Sequence, residues 1–244
     1  MRASLSLLLI ILFCAASFLS CNRVRQPNII QTELDTALYP GNFIDYEEPT
    51  FDQNTNTLKN VLIEDWTGHQ CSFCPAAADV AAQLEIDNPE RVFVATIHAG
   101  ADNDGVSSLQ ETEPSGAFSR DFTTPEGIEM AVTFFSQDFG FDSNPKGCIN
   151  RYEEGGLFFL NASEWSDKVD EGLASALDVN LQAKSNYFPS TNGVYLHVET
   201  EFLNNLQGEY NIVVYAIEDK IIDWQKVFGV GEVPDYEHHN VHIG

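Results

Sequence analysis

Residues 91 to 98 put Val92 and Val94 on one side of an extended chain and Phe93, Ala95 and Ile97 on the other. A strand that is apolar on both faces must be covered on both, so it belongs inside a sheet with layers above and below. The stretch before it has a helical period. Pro75 to Ile86 sets Ala77, Val80, Ala81 and Leu84 on one face, and Pro75 suits a first helical position, where an N–H would have no partner. Ahead of that, Val61 to Trp66 is a short apolar-leading run stopped by Thr67-Gly68, which predicts a strand and a turn. Strand, helix and strand in this order require a parallel crossover.

Ala99 to Thr124 is a polar, Gly- and acid-rich insertion. Thr124-Pro125-Glu126 then caps a helix running to about Gln137, with Ile128, Met130, Ala131, Phe134 and Phe135 for burial. Lys146 to Tyr152, after Asn144-Pro145, reads as a third strand. Gly155-Gly156 turns into a fourth at Leu157 to Leu160. Asn161 or Ser163 caps a last helix through about Leu177, with Trp165, Val169, Leu173 and Leu177 four apart. The resulting order, strand, helix, strand, helix, strand, strand, helix, is that of a thioredoxin-like α/β domain, expected over residues 58–177. Beyond it, Asp178 to Ala183, Gly193 to Phe202 and Tyr210 to Ile217 alternate apolar and polar residues. They predict a small antiparallel β domain over residues 178–244. Three or four strands leave its edges exposed, so this β domain reads as incomplete, either the product of a shortened gene or a natural short variant.

The first residues speak for export. Met1-Arg2 is followed by a fifteen-residue apolar run, Leu5 to Leu19, short of the ~20 residues that span a bilayer. Residues 1–20 read as a signal peptide. Phe18-Leu19-Ser20-Cys21 resembles a bacterial lipobox, in which Cys21 becomes the acylated first residue. The alternative is an ordinary secretory signal with an incidental cysteine. Residues 21–57 lack sustained periodicity and read as a tether, with a short edge strand at Phe43 to Tyr46. Acidic residues outnumber basic ones 37 to 12, a net charge of −25. Such a surface repels nucleic acid and anionic headgroups, so the membrane is expected as a partner only through the covalent lipid.

Cys14 lies in the discarded segment, Cys21 is the lipid site, and Cys71, Cys74 and Cys148 remain. Outside the cytoplasm a disulfide persists. Cys71-Ser72-Phe73-Cys74 falls between a strand and a helix start, where free N–H groups and the helix dipole favour a thiolate. Cys71, further out on the loop, is the expected nucleophile and Cys74 the resolving thiol. Pro145 stands where a thioredoxin-like domain places its cis-proline; the ordinary alternative for Asn144-Pro145 is a trans turn. Asp65 and Glu64 precede Cys71 by six and seven residues, and one of them buried beneath the pair would serve as proton acceptor for Cys74. The plainer reading leaves both carboxylates in solvent. His69 would lower the thiol pKa if charged, or is simply a solvated loop residue.

Two rivals to redox chemistry stay open: a static 71–74 disulfide, and a zinc site drawing on Cys71, Cys74, His69 and His98 or Cys148. Cys148, in an apolar strand, is expected to be an inert buried thiol. His238, His239 and His242 have spacing that would allow metal chelation, without fixed acidic or cysteine partners. No cofactor is expected. Asn161-Ala162-Ser163 matches a glycosylation sequon, which the helix cap explains.

Several stretches together resemble one family. They are the lipobox, residues 64–69 leading into Cys71-Ser72-Phe73-Cys74-Pro75, the run Asn144 to Arg151, Glu218 to Ile222, and Tyr236 to His242. The set is similar to the outer-membrane lipoproteins named after a twenty-eight-kilodalton surface antigen, which join a thioredoxin-like domain to a C-terminal β domain. The resemblance covers roughly residues 58–244. It implies outer-membrane placement, with Cys71 and Cys74 as the redox pair and Pro145 as the cis-proline. It also carries departures: Cys148 stands where an aliphatic residue is expected, and members continue well past the Tyr236 stretch. The turn before Cys71 is longer by one residue than in ordinary thioredoxins and lacks their Trp. Two functions follow as expectations. One is thiol–disulfide exchange with protein thiols or disulfides. The other is a non-catalytic surface lipoprotein that presents the acidic insertion (101–125) and the β domain to a ligand.

Overall fold

The computed structural model describes residues 49–100, 106–134, 141–153, 155–188, 193–208 and 210–244. The expected signal peptide, Cys21, the strand at Phe43 to Tyr46 and most of the tether lie outside them, as does the helix end at Phe135 to Gln137. Among the described residues no helix is long and apolar enough to cross a membrane.

The apolar runs read above form two of the inner strands of a mixed sheet, β1 (Val61–Thr67) and β2 (Val92–His98). They pair in parallel, with Val61 opposite Val92 and Thr67 opposite His98. The crossover between them is α1 (Cys74–Asp87), with Pro75 in its first turn as expected. Next come α2 (Pro125–Glu129), which runs on as a π-helix over Met130–Phe134, then β3 (Lys146–Ile149) and α3 (Trp165–Ala174). Thr124 caps α2 by accepting the Gly127 N–H at 3.0 Å. Asn161 and Glu164 form a capping box before α3, so the sequon asparagine is a helix cap. α3 ends at Ala174, short of the expected Leu177.

Side-chain alternation along β1 separates two layers. Val61 and Ile63 join Ala77, Ala81, Leu84, Trp165 and Val169 in one buried cluster. Trp66 joins Ile97, Ala131, Phe141, Cys148 and Phe159 in the other. Its indole meets Phe141 and Phe159 edge-on at 5.1 and 5.6 Å. Both faces of the central strands are therefore covered, as their double apolar character demands, except at Phe93 near the start of β2, which is 47% exposed.

The expected fourth strand is reduced to a bridge. Leu160 exchanges two backbone hydrogen bonds with Gly147, at 3.0 and 2.9 Å. Gly147 is glycine because the Trp165 indole occupies the place of a side chain: a Cβ there would meet ring atoms at 2.4–2.6 Å. Gly147→Ala is accordingly expected to lower the unfolding free energy by about 1–3 kcal/mol in a denaturant titration, the usual cost of forcing an extra carbon into a packed core.

The C-terminal residues depart from the expected division at 178. Six more strands follow: β4 (Val179–Phe188), β5 (Gly193–Phe202), β6 (Ile217–Glu218), β7 (Ile221–Val227), β8 (Gly231–His238) and β9 (Val241–His242). β9 pairs in parallel with β2 at Thr96–Val241, and β6 pairs antiparallel with β9. One five-stranded sheet of order β3-β1-β2-β9-β6 results. β6 and β9 are thus part of the first domain's sheet rather than of a separate unit over 178–244, while β7 and β8 pair antiparallel with each other as a hairpin. β6 and β9 close the β2 edge that the earlier strands leave open. Tyr210 to Ile217 was expected as a strand, yet only Ile217–Glu218 is one, and Ile212, Val213 and Val214 are exposed.

By contacts the chain divides into two units. Of the described residues, one gathers those within Asp52–Leu181, Thr200–Gln207 and Ile212–Gly244, and the other those within Gln182–Glu199 and Gly208–Asn211 together with 49–51. In the second, described residues belong to the β4–β5 hairpin, and Lys184 lies over the Phe51 ring. The site below lies wholly in the first.

Candidate functional site

β1 ends at Thr67, the chain turns through Gly68, and Cys71 and Cys74 follow at the mouth of α1, joined as a disulfide with Cα atoms 5.4 Å apart. Cys74 is the first residue of α1, at the positive end of the helix dipole. Both cysteines are buried, against the expectation of an outlying Cys71: Cys71 is 3% and Cys74 1% exposed. The Asn144–Pro145 peptide is cis. Asn144 donates its side-chain N–H to the Thr67 carbonyl at 2.8 Å, and β3 runs antiparallel to β1 from there. Pro145 therefore stands at the end of β1 from which the cysteine loop departs.

Alternation on β1 sends the two candidate carboxylates to opposite faces, and neither meets solvent. Asp65 faces α1 and lines a cavity of about 270 Å³ together with Cys74, His98, Gln225, Tyr236 and His238. Neither Asp65 oxygen has a hydrogen-bond partner among the described residues. Burial without a partner disfavours the charge and pushes its carboxyl up to about 7. Glu64 turns the other way. Both its oxygens accept from Arg151, at 2.7–3.1 Å, and the Tyr215 hydroxyl completes the group. Glu64 is thus an ion-pair residue on the far face, and the expectation of a proton acceptor comes down to Asp65.

His69 is buried rather than solvated, and so are its neighbours His98 and His238. His69 Nε2 lies 2.9 Å from the Glu111 carbonyl, and its ring packs on Phe118 and Phe122. Burial lowers its pKa, so it brings no positive charge to the thiols. His98 stacks on Phe122 at 4.8 Å, with His238 5.9 Å away. Burial drives His98 well below the usual range and His238 to about 4. The insertion expected to be solvent-facing supplies Phe118 and Phe122 to this cluster, at 1% and 6% exposure.

The terminal histidines part company. His238 faces the cavity, His239 pairs with Asp219 and Glu237 at the surface, and His242 lies 3.1 Å from the Thr124 hydroxyl. Among the described residues no group of three or more His, Cys, Asp or Glu side chains is gathered to hold a metal. In the zinc alternative Cys71 and Cys74 are tied to each other, and Cys148 lies in the other layer. Cys148 is fully buried, and desolvation pushes its thiol far above the ordinary range, as an inert thiol requires.

Sequence reasoning missed Gln225, Tyr236 and Phe122. Each comes from a segment whose pattern is only that of a loop or edge strand, and only tertiary pairing brings Gln225 and Tyr236 to the cavity that Cys74 lines and Phe122 against His69, His98 and His238.

No family model matches the sequence, and no curated protein matches it. Among solved structures, HBP35 of Porphyromonas gingivalis is similar at 20% identity and a TM-score of 0.36, over 54% of this chain and 38% of its own. A crystal structure of an Agrobacterium tumefaciens protein is similar at 13% identity and a TM-score of 0.41, over 76% of this chain and 71% of its own. This chain spans well under half the length of the first. Likeness at this level establishes neither a family nor an activity.

Proposed function

We propose that this protein is a thioredoxin-like thiol–disulfide exchange protein of the cell envelope, held at the outer membrane by a lipid on Cys21. The observation that carries the reading is Asp65, an unpartnered carboxyl poised near neutrality in the cavity that Cys74 lines. A buried acid at that pKa is suited to passing a proton to and from a neighbouring sulfur.

Starting from the disulfide, a substrate thiolate attacks Cys71. The Cys71–Cys74 bond breaks, a substrate–Cys71 disulfide forms, and Cys74 leaves as a thiolate that takes the proton of Asp65. The second substrate thiolate then attacks the first substrate sulfur and releases Cys71. The substrate dithiol is oxidised to a disulfide and the protein pair is reduced; run backwards, the same steps reduce a substrate disulfide, with Asp65 accepting the Cys74 proton. The helix N-terminus stabilises the thiolates, and Pro145 borders the site from β3.

The near-complete burial of both sulfurs favours a second reading, a non-catalytic surface lipoprotein with a static disulfide. The two separate in one experiment. The full chain is mildly reduced and offered a polypeptide disulfide such as insulin. Turnover is expected, falling to background in Cys71→Ser, while Cys74→Ser traps a mixed disulfide on Cys71. Thiols that react only after denaturation, with no turnover, would establish the static link instead.

A further inference from the structure

The disulfide loop is covered by a strand of its own chain. Two backbone N–H groups lie on the loop, that of Lys226 in β7 and that of Phe228 in the turn that begins just after it. They donate to the carbonyls of His69 and Ser72, each at 2.9 Å. The Gln225 side chain, 2% exposed, donates to the Cys71 carbonyl at 3.0 Å and lies 3.3 Å from that of Gly68. The Lys226 ammonium donates to Gln70 at 2.8 Å, and the Phe228 ring stacks on Phe73 at 4.6 Å. Every residue from Gly68 to Phe73 takes one of these contacts from residues 225–228.

Backbone-to-backbone bonds of this kind do not read sequence. They are how an extended polypeptide is held along an open edge, with side-chain contacts adding selectivity. The cover is also unevenly fastened. At its base Ile221 and Val241 pack on Phe122 in a buried cluster. At its tip Phe228 and Val230 are 67% and 72% exposed, beside glycines at 229 and 231 with φ of +76° and +106°. A hairpin anchored at its base and solvated at its tip opens locally more readily than the sheet it springs from.

We propose that residues 225–228 occupy, in cis, the binding face of Cys71–Cys74 for an extended polypeptide. The partner's backbone N–H groups would replace those of Lys226 and Phe228, and its aromatic side chain would replace Phe228 on Phe73. The proposal rests on the exchange reading and names its substrate class. It also accounts for two buried sulfurs in a protein that must reach other chains.

The test uses the oxidised full chain and dithiothreitol. This reagent passes two electrons and two protons to the Cys71 and Cys74 sulfurs and closes to its own cyclic disulfide. Reduction of Gln225→Ala/Phe228→Ala is expected to be at least tenfold faster than that of the unaltered protein. A synthetic peptide spanning residues 222–229, added to the variant, is expected to slow reduction again, and the same peptide with alanine for Phe228 is not. An unchanged reduction rate, or a peptide that gives no protection, overturns the proposal. Should the variant fail to fold, amide exchange on the unaltered protein decides. The Lys226 and Phe228 amides are expected to exchange at least tenfold faster than that of Thr96, and exchange only through global unfolding overturns the cover. Fast reduction and peptide protection without turnover of any polypeptide disulfide would leave the binding face standing and remove the exchange reading.

Discussion

Replacing Arg151 with methionine is expected to lower the unfolding free energy by about 3–5 kcal/mol at pH 7, the range for breaking a buried ion pair from one side. Glu64 is 1% exposed and receives both the Nε and Nη2 hydrogens of Arg151. Remove the guanidinium and a carboxylate stays inside, with only the Tyr215 hydroxyl left of its described partners. The cost is the desolvation of that stranded charge, more than the attraction that was lost. The double variant Glu64→Gln/Arg151→Met is therefore expected to recover much of the loss, because no unpaired charge remains. Urea titrations of the two variants check this. A single-variant effect under about 1 kcal/mol would place the pair in the surface class and discard the assignment.

Asp65→Asn is expected to act in the opposite direction on stability and against function. The carboxyl rises from 3.8 to about 7 on folding, so between those values the folded protein holds a proton that the unfolded chain has released. Stability is therefore full below pH 4 and is lost as pH rises towards 7. A shift of this size corresponds to about 4 kcal/mol, the expected gain of Asp65→Asn at pH 8, with little difference near pH 4. The buried histidines have the reverse sign. His238 falls from 6.5 to about 4, and His98 falls too. The unfolded chain takes up protons first as the solution is acidified, so their contribution is present above 6.5 and lost below it. In the unaltered protein the two trends oppose each other over that window. In Asp65→Asn only the histidine trend remains, and stability should rise with pH from 4 to 6.5. Meanwhile attack of Cys74 on the substrate–Cys71 disulfide is expected to slow by roughly 100-fold, the ordinary worth of a placed proton acceptor. Thermal melts across pH and a mixed-disulfide chase read the two effects separately. A stability difference that does not grow with pH would mean that Asp65 is not the buried acid described.

The sulfur pair, its helix and the strand before it are legible in sequence because each rests on local chemistry. Cysteines three apart, a proline in the first helical turn and an apolar run ahead of them specify strand, turn and helix with no help from the rest of the chain. Alternation along Glu64-Asp65 shows that one carboxylate must face α1, but the local pattern cannot say which face is which. That depended on Arg151 lying on the far side, in a turn almost ninety residues later. The same holds for His69 and the insertion. Their polarity predicts solvent, and only the packing of Phe118 and Phe122 removes it.

By itself, then, the sequence determined the inner strands β1 and β2, the three helix starts and the Cys71–Cys74 placement, all set by contacts within a few residues. The tertiary structure alone decided that a two-residue strand at Val241–His242 closes the main sheet and that a hairpin from the same region lies on the disulfide loop. Two residues carry no periodicity, and backbone hydrogen bonds leave no mark on side-chain pattern, so pairing over such distances becomes visible only once the chain has folded.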